Sequence, residues 1–178
     1  MKENLKDIYD FSDSKHCLPF LYDYAMKKHP ETILELGVHM GYSTRVLLIA
    51  VQQYGGTVYS VDVSAGPTVQ NTIKIINAMK LESNWKLIIS DSRNVKWDRD
   101  IHMLYIDSSH KHGVTLAELE KYSPFVTQEG RIFMHDVANP LYLGVMGAIN
   151  EFIEKNPVWE YRVLTEKTHG LGVLYRKV

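Results

Sequence analysis

The fold is decided by residues 32–44, TILELGVHMGYST, which pass from a short apolar run through two glycines into a segment with helical spacing. Residues 32–38 are mostly apolar and often branched, and the run is short enough for a strand buried on both faces. Gly37 and Gly41 leave the backbone uncovered at the turn, so a ligand can approach the main chain closely. The stretch predicts an α/β protein that binds a nucleotide-like ligand at its first turn.

Glu35 separates this turn from the dinucleotide-binding fingerprint. That fingerprint reads G-x-G-x-x-G and places pyrophosphate on the N-terminus of the following helix. Here the glycines are spaced G-x-x-x-G, and Glu35 lies two residues before the first of them. A carboxylate at this end of the strand would repel phosphate and would suit a cationic ligand. We expect Ser43 or Thr44 to cap the helix that follows.

Composition and charge limit the classes of protein that the chain can represent. Its 178 residues suit one domain with a substantial core, and its formal net charge of -1 gives no electrostatic case for nucleic-acid binding. The single cysteine, Cys17, excludes an internal disulfide and a multi-cysteine metal site. Residues 1–10 are charged, unlike a signal peptide, and no apolar run is long enough for a membrane span. We therefore expect a cytoplasmic protein.

Strands and helices are predicted to alternate along the chain. Residues 1–13 are polar and expected to be loosely ordered, and residues 14–29 are expected to form a helix. Strands are predicted at residues 32–38, 57–63, 85–90, 101–106, 131–134, 159–164 and 171–175. The last two are joined by a link short enough only for antiparallel pairing. The pattern predicts a single domain over residues 1–178, a Rossmann-like three-layer α/β sandwich whose seven-stranded sheet is mostly parallel with the last strand antiparallel.

Acidic residues lie at the ends of the first five predicted strands. Since ligands in open α/β sheets bind at the carboxyl ends of the strands, these side chains are candidates for a binding site. They are Glu35, Asp62, Asp91, Asp107 and the pair His135-Asp136. A single aspartate after a strand is often a turn former or a helix cap, but turn chemistry alone accounts poorly for five strands in a row.

Three features of the chain resemble one family of enzymes. The pattern E-x-G-x-x-x-G at residues 35–41 resembles motif I of the class I S-adenosylmethionine (AdoMet)-dependent methyltransferases. The turn GVHMGYS, residues 37–43, is similar to that of the caffeoyl-coenzyme A O-methyltransferases, and IDSSH, residues 106–110, is similar to the I-D-x-x-H segment of macrocin-type O-methyltransferases. The order of strands and helices also resembles the methyltransferase fold. The resemblance implies an AdoMet-dependent enzyme that methylates an oxygen of a small-molecule acceptor.

The resemblance also implies which residues bind the cofactor. Asp62 would accept hydrogen bonds from the ribose hydroxyls, Asp91 would lie at the adenine edge, and the helix over residues 14–29 would cover the cofactor side of the sheet. The implied cofactor-binding residues are Glu35, Gly37, His39, Gly41, Tyr42, Ser43, Asp62, Asp91, Ser92 and Asp107. Four loop residues on the same face are candidates for the acceptor pocket, although a core or surface position is the more ordinary interpretation of each: Tyr42, Trp97, Tyr142 and His169.

Asp107 and His110 are the implied catalytic residues. In the macrocin-type enzymes the aspartate binds a divalent metal, the histidine is the base, and two acidic residues after the fifth strand complete the metal site. By position those two match His135 and Asp136, so the implied metal ligands are Asp107, His135 and Asp136. Aspartate oxygens favour magnesium or manganese, whereas an imidazole moves the preference toward later transition metals and puts magnesium in doubt. The alternative is that His135 points into the sheet or orients Asp136.

Two further classes of function are compatible with the sequence. A nicotinamide-dependent oxidoreductase would share the fold, but the missing G-x-G-x-x-G and the presence of Glu35 disfavour it. A non-catalytic AdoMet-binding domain would keep the turn, but it has no need of Asp107, His110 and Asp136. The sequence leaves the acceptor and the oligomeric state undefined, and an open pocket in a small domain is compatible with a homodimer. We expect neither nucleic acid nor membrane as a partner.

Overall fold

The computed structural model describes residues 5–12 and 14–177, which build a seven-stranded sheet between layers of helices. The elements in chain order are α1 (Leu5–Phe11), α2 (Leu18–Lys28), β1 (Thr32–Leu36), α3 (Tyr42–Tyr54), β2 (Thr57–Asp62), α4 (Pro67–Met79), β3 (Trp85–Ile89), β4 (Ile101–Ile106), α5 (His112–Tyr122), β5 (Val126–His135), α6 (Leu143–Lys155), β6 (Trp159–Thr165) and β7 (Leu171–Arg176). Short 3-10 turns precede β3, β4 and β5. None of the helices in these ranges has the length and apolar character that a membrane span requires.

The sheet has the strand order β3-β2-β1-β4-β5-β7-β6. The first five strands run parallel, and β7 lies between β5 and β6 and is antiparallel to both. Residues 166–170 alone join β6 to β7, which is too short for the crossover that a parallel pair needs. The predicted sheet, mostly parallel with an antiparallel last strand, is therefore confirmed. It also places the carboxyl ends of β1, β2, β4 and β5 along one edge.

The alternation of side chains along β1 divides the core into two layers. Ile33 faces a cluster that includes residues of α1, α2, α3 and α4, whereas Leu34 and Leu36 face a cluster that includes α5 and α6. Successive side chains of a strand point to opposite faces, so a short run of apolar residues serves both layers. Burying each such side chain stabilises the fold by about 1.5–3 kcal/mol. The rigid edge that results carries the turns of the candidate site.

The N-terminal region differs from the loosely ordered segment that the sequence predicts. Residues 5–11 form α1, and its Ile8 is fully buried in the layer that contains α3. Leu5 and Tyr9 pack against the same layer, but seven residues with charged neighbours are too few for a clear helical periodicity. The helix predicted over residues 14–29 is confirmed only from Leu18 to Lys28, because residues 14–17 form a turn. Residues 1–4 and 13, also predicted to be loosely ordered, lie outside the described residues.

Candidate active site

A cavity of about 480 Å³ opens at the carboxyl ends of the central strands. Most of the site residues predicted from the sequence line it: Gly37, His39, Gly41, Tyr42, Ser43, Asp62, Asp107, His110, His135 and Asp136. Ser14, Val38, Met40, Ser108, Tyr142 and His169 complete the lining. Of the four candidates for the acceptor pocket, Trp97 is instead a core residue. The topology thus brings predicted residues from four separate segments of the chain, 37–43, 62, 107–110 and 135–136, to one site.

The two glycines of the first turn are required by space as well as by conformation. Gly37 has φ 99° and Gly41 has φ 65°, a region that favours glycine. A Cβ on Gly37 would collide with the backbone of Asp107, and one on Gly41 would collide with the side chain of Thr72. The turn after β1 therefore lies directly against the end of β4. This close approach connects the predicted cofactor turn to the predicted catalytic segment.

Glu35 lies beneath the turn and does not line the cavity. Its carboxyl group is fully buried and accepts hydrogen bonds from the hydroxyls of Ser43 (2.5 Å), Thr44 (2.7 Å) and Ser60 (2.6 Å). Burial raises the pKa of Glu35 to about 7, although the three hydroxyl hydrogen bonds oppose that rise. The sequence prediction that Ser43 or Thr44 caps α3 is wrong, because both hydroxyls turn inward to this carboxyl group and Gly41 occupies the cap position. Glu35 therefore holds the start of α3 against β1 and β2.

Asp62 joins the turn to the end of β2. Its Oδ2 accepts hydrogen bonds from the backbone N–H groups of Val38 (3.0 Å) and His39 (3.2 Å), and its Oδ1 accepts one from Ser64 (2.9 Å). The residue lines both the cavity and a neighbouring cleft of about 210 Å³. Each carboxylate oxygen can accept more than one hydrogen bond, so Asp62 keeps acceptor capacity toward a ligand that spans the two spaces.

Asp91 and Ser92, which the sequence predicts near the adenine edge, line the neighbouring cleft and not the cavity. Both oxygens of Asp91 accept hydrogen bonds from the guanidinium of Arg93, at 3.0 and 2.6 Å. Hydrogen bonds from the side chain and backbone of Arg93 lower the pKa of Asp91 to about 2. Asp91 also caps the 3-10 turn that follows, which is the turn-forming role that the sequence left open.

Glu118 is a residue of the cleft that sequence reasoning did not identify. It is fully buried on α5 and accepts hydrogen bonds from the hydroxyls of Ser92 (2.5 Å) and Ser108 (2.7 Å). Burial raises the pKa of Glu118, and the two serine hydroxyls act in the opposite direction. The carboxyl group thereby ties the end of β3 to the end of β4. Its only sequence signal is an acidic residue at a helix position shared with buried neighbours, Thr115 and Tyr122.

Asp136, which follows β5 and lines the cavity, is the centre of an ionic cluster. Its Oδ2 lies 2.8 Å from Nε2 of His110 and 3.0 Å from Nδ1 of His135, and its Oδ1 accepts a hydrogen bond from Asn139 (2.8 Å). Burial favours the protonated carboxyl, but these three partners outweigh it and hold the pKa of Asp136 well below its ordinary value. Asp136 has φ 60°, a left-handed conformation that few residues other than glycine adopt. The cluster therefore keeps a buried carboxylate ionised.

His135 connects the carboxylates of Asp107 and Asp136. Its Nδ1 lies 3.3 Å from Oδ1 of Asp107, in addition to its contact with Asp136, and the hydroxyl of Tyr105 donates to Oδ2 of Asp107 at 3.0 Å. Burial disfavours the imidazolium, but the hydrogen bonds to Asp107 and Asp136 raise the pKa of His135 well above its ordinary value. The contact with Asp136 agrees with the alternative that His135 orients that aspartate.

Two contacts hold His110 at the wall of the cavity. Its Nε2 is paired with Asp136, and its imidazole stacks on the ring of Tyr142, with 3.8 Å between ring centroids and 7° between the planes. The hydrogen bond to Asp136 raises the pKa of His110, and partial burial acts in the opposite direction. A carboxylate on one nitrogen fixes the tautomer in which the other nitrogen, Nδ1, can accept a proton.

The residues that could hold a metal differ from those that the sequence predicts. In the described part of the chain, one set of three ligating side chains has its donor atoms within 4.8 Å of one another: Asp107, His110 and Asp136. The predicted set contains His135 in place of His110. Two carboxylates and an imidazole fit a divalent ion of the first transition row better than magnesium. In this set the imidazole predicted to act as the base is itself a ligand.

Comparisons with known proteins agree with this geometry. The chain matches no curated protein in sequence. Among solved structures, the SAH-bound methyltransferase PaMTH1 of Podospora anserina has a TM-score of 0.79 at 15% identity, covering 98% of this chain and 88% of that one. An O-methyltransferase of Bacillus cereus in complex with SAH has a TM-score of 0.72 at 19% identity, covering 97% and 90%. A Staphylococcus aureus protein provisionally assigned as a caffeoyl-CoA O-methyltransferase has a TM-score of 0.77 at 16% identity, covering 98% and 93%.

The structural likenesses establish the fold, and a family model establishes the family. The model of the family described as a methyltransferase domain matches residues 34–137. This range begins in β1, includes the glycine turn and the strand ends of β2, β3 and β4, and ends just after the ionic cluster at Asp136. It covers more than half of the chain and every predicted cofactor, catalytic and metal residue. The chain therefore belongs to the methyltransferase-domain family.

Proposed function

We propose that the protein transfers the methyl group of AdoMet to a hydroxyl oxygen of a small-molecule acceptor, with His110 as the general base. One observation carries the proposal. A histidine whose Nε2 is fixed by a buried carboxylate, at 2.8 Å, lines the same cavity as the glycine turn expected to bind the cofactor. A domain that only binds AdoMet does not need an oriented base in the cavity.

Several features support AdoMet as the cofactor. The family is one of methyltransferases, and the similar structures from Podospora anserina and Bacillus cereus hold SAH, the demethylated form of AdoMet. The N-terminus of α3 begins at Gly41 without a side-chain cap, so its backbone N–H groups are available to a carboxylate such as that of a bound amino acid. Asp62 lies between the cavity and the cleft, where a ribose would connect the methionine and adenine ends.

Methyl transfer to a hydroxyl requires the enzyme to position the acceptor and to remove its proton. The acceptor oxygen attacks the methyl carbon in line, the S–CH₃ bond breaks as the O–CH₃ bond forms, and the sulfonium leaves as the neutral thioether SAH. The hydroxyl proton passes to Nδ1 of His110, while the carboxylate of Asp136 stabilises the imidazolium through Nε2. Asn139 and His135 fix Asp136 in that position. The charge that develops on His110 is therefore compensated in advance.

A divalent metal is the second way in which these residues could activate the acceptor. Asp107, His110 and Asp136 would hold the ion, and the bound ion would lower the pKa of the acceptor hydroxyl. His110 would then use its Nε2 as a ligand, so the two roles of this side chain are alternatives. Turnover of chelator-treated protein separates them: full activity assigns His110 to the proton, and loss of activity restored by manganese or zinc assigns it to the ion.

The proposal is tested first by binding and then by product. AdoMet should raise the unfolding midpoint, and NAD should leave it unchanged, because a ligand at 100 times its Kd stabilises a protein by about 2.7 kcal/mol. Incubation with AdoMet and a set of alcohols and phenols should then yield SAH and an O-methylated product in equal amounts by mass spectrometry. Stabilisation by NAD alone would favour the oxidoreductase, and AdoMet binding with no methylated product would favour the non-catalytic binding domain.

A further inference from the structure

A second concave space, of about 460 Å³, lies on the sheet where β5, β7 and β6 are neighbours, and we call it the sheet groove. The strand residues that line it alternate along each strand, as side chains on one face of a sheet do. They are Arg131 and Phe133 in β5, Val173 and Tyr175 in β7, and Arg162 and Leu164 in β6. Phe20 and Tyr24 of α2 complete the described lining, and none of these residues lines the active-site cavity. The sheet groove is therefore separate from the cavity of the proposed methyl transfer.

Four of the eight residues that line the sheet groove are aromatic. Phe133 is 3% exposed and belongs to the core layer that contains α2, and the ring of Tyr24 packs edge-on against it with 5.0 Å between ring centroids. Phe20 is 39% exposed and Tyr175 is half-buried, so both rings still present apolar surface to water. A planar apolar ligand would cover that surface, and the volume lies in the range of about 300–1,000 Å³ that is typical of small-molecule sites.

Arg131 brings a fixed positive charge to the sheet groove. Its Nη1 donates to the backbone carbonyls of Glu129 and Gly130, at 2.8 Å in each case, and its guanidinium lies 5.6 Å from the centroid of the Tyr175 ring. Carbonyl oxygens orient the guanidinium but carry no formal charge, so the cation is not neutralised. A guanidinium has five N–H donors, and those on Nε and Nη2 of Arg131 make no hydrogen bond to the described residues.

Arg162 brings a second positive charge to the same face, opposite Val173 in the pairing of β6 with β7. It is exposed and makes no ion pair or hydrogen bond within the described part of the chain. A hydrogen bond to Glu160 raises the pKa of Tyr175, and the guanidinium groups of Arg162 and Arg131 act in the opposite direction, which places both near this ring. Glu160 is not part of the lining, and no described lining residue is acidic.

We propose that the sheet groove binds an aromatic carboxylate, a small planar acid that is a ligand distinct from AdoMet and its acceptor. Its ring packs on Phe20 and Tyr175, and its carboxylate pairs with Arg131 and Arg162. A guanidinium suits this anion because two parallel N–H donors match the two oxygens of a carboxylate. The site goes beyond the proposed methyl transfer and does not depend on it.

The test compares two probes of the same shape that differ in charge, 2-naphthoate and its methyl ester. Calorimetry should show saturable binding of 2-naphthoate with a Kd of about 1 mM or below, the affinity expected for a ligand of this size. The methyl ester should bind about fivefold more weakly, because it lacks the charge that the arginines recognise. Equal affinities for the two probes, or no saturable binding of 2-naphthoate, would overturn the proposal.

Arg162→Gln assigns the binding to the sheet groove. The side chain is exposed and unpaired among the described residues, so the fold should be preserved, and the Kd for 2-naphthoate should rise about fivefold while that for the ester is unchanged. Arg99→Gln is the matched control, since it removes the same charge at an exposed position outside the groove and should leave both Kd values unchanged. An unchanged Kd for 2-naphthoate in Arg162→Gln would overturn the assignment.

Two further measurements exclude other occupants. Saturating SAH should leave the Kd for 2-naphthoate unchanged, because the two spaces share no described lining residue, and competition would place the probe in the active-site cavity and overturn the proposal. Sedimentation should show the same oligomeric state for the unmodified protein and Arg162→Gln. A dimer that this substitution dissociates would mean that a second copy of the chain covers the groove, which would also overturn the proposal. Failure to bind SAH would refute the proposed function and not the site, which Arg162→Gln tests by itself.

Discussion

Two buried carboxyl groups, Glu35 in β1 and Asp136 just after β5, have opposite environments although both are shielded from water. Glu35 is 0% exposed and Asp136 is 4% exposed. Glu35 meets three neutral hydroxyls, and burial raises its pKa to about 7. Asp136 meets the imidazoles of His110 and His135 and the amide of Asn139 within 3.0 Å, and these partners hold its pKa well below the ordinary value. The type of hydrogen-bond donor thus contributes to which of the two carboxyl groups stays ionised.

The difference in pKa between the two carboxyl groups matches a difference in role, structural for Glu35 and chemical for Asp136. A carboxyl group that is easily protonated serves as a connection between β1, β2 and α3, and it lies below the surface of the cavity. A carboxylate that stays ionised can hold and stabilise an imidazolium, and it lines the cavity. The sequence presents the two as equivalent, since each is an acidic residue near the end of a strand. Substitutions near Asp136 should therefore change turnover, those at Glu35 should change stability, and those at Asp62 and Asp91 should change cofactor affinity.

The largest effect is expected from the side chain that Asp136 orients. His110→Ala removes the proposed base, so kcat should fall by about 10²–10⁴-fold while the Kd for AdoMet changes little. His112→Ala is the matched control, since this histidine also lies near the start of α5 but pairs with Glu151, at 3.1 Å, outside the cavity. Stopped assays give kcat and calorimetry gives the Kd. Full activity of His110→Ala would mean that the acceptor is already a good nucleophile, such as an amine or a thiol.

A smaller effect, on stability, is expected at Glu35. Its pKa is raised from 4.5 to about 7, so the unfolded chain releases this proton at lower pH than the folded protein does. The contribution of this group to the free energy of unfolding is therefore fully present below its unfolded pKa and is lost as pH rises through the folded pKa. The loss amounts to about 3 kcal/mol.

Glu35→Gln isolates that contribution, because glutamine has no proton to lose over this range. The free energy of unfolding of the unmodified protein, minus that of the variant, should decrease between about pH 4 and pH 8. Urea denaturation at several pH values measures both proteins, and subtraction cancels the contributions of all other groups. A difference that stays constant across the range would show that Glu35 is already ionised in the folded protein.

Much of the fold follows from local features of the sequence. The apolar runs identify all seven strands, and the short link before β7 determines its direction. Two elements are harder to recognise. β5 begins at Val126 rather than at residue 131, because polar residues 127–129 interrupt its apolar pattern although Val126 itself is buried and pairs with Ile101. In α1 the pattern consists of Leu5, Ile8 and Tyr9 in a helix of only seven residues. In both cases long-range packing outweighs a weak local pattern.

The sequence predicts which residues line the site but only part of the contacts between their side chains. Topology alone brings strand ends together, which is why most of the predicted residues line one cavity. The partners of each side chain depend on strand register, which no local pattern specifies. Glu35 is opposite Ser60 in the pairing of β1 with β2, and that alignment places a hydroxyl beside the buried carboxyl group. The burial of Glu118 depends in the same way on where α5 packs.

Asp62 is expected to have an intermediate effect on cofactor affinity. Asp62→Ala should weaken AdoMet binding by about 1.5–3 kcal/mol, the scale of a hydrogen bond to a charged group. Asp98→Ala is the control, since this aspartate pairs with Arg99 at an exposed position. Calorimetry measures both variants. Unchanged affinity in Asp62→Ala would mean that this carboxylate only holds the turn through Val38 and His39.

The smallest effect is expected at Asp91, whose carboxylate is already shared with Arg93. Asp91→Asn keeps an oxygen that can cap the following turn, so the fold should be preserved and AdoMet binding should weaken only about threefold, as for the loss of one neutral hydrogen bond.

Affinity alone cannot distinguish contact with the adenine amine from a change in the turn. The comparison of SAH with S-inosylhomocysteine, which lacks that amine, makes the distinction. If Asp91 accepts a hydrogen bond from the amine, the unmodified protein prefers SAH and Asp91→Asn loses part of that preference. If the preference is the same in both proteins, Asp91 is a turn-forming residue, and adenine recognition belongs to other groups of the cleft, among which the buried carboxyl group of Glu118 is the next to substitute.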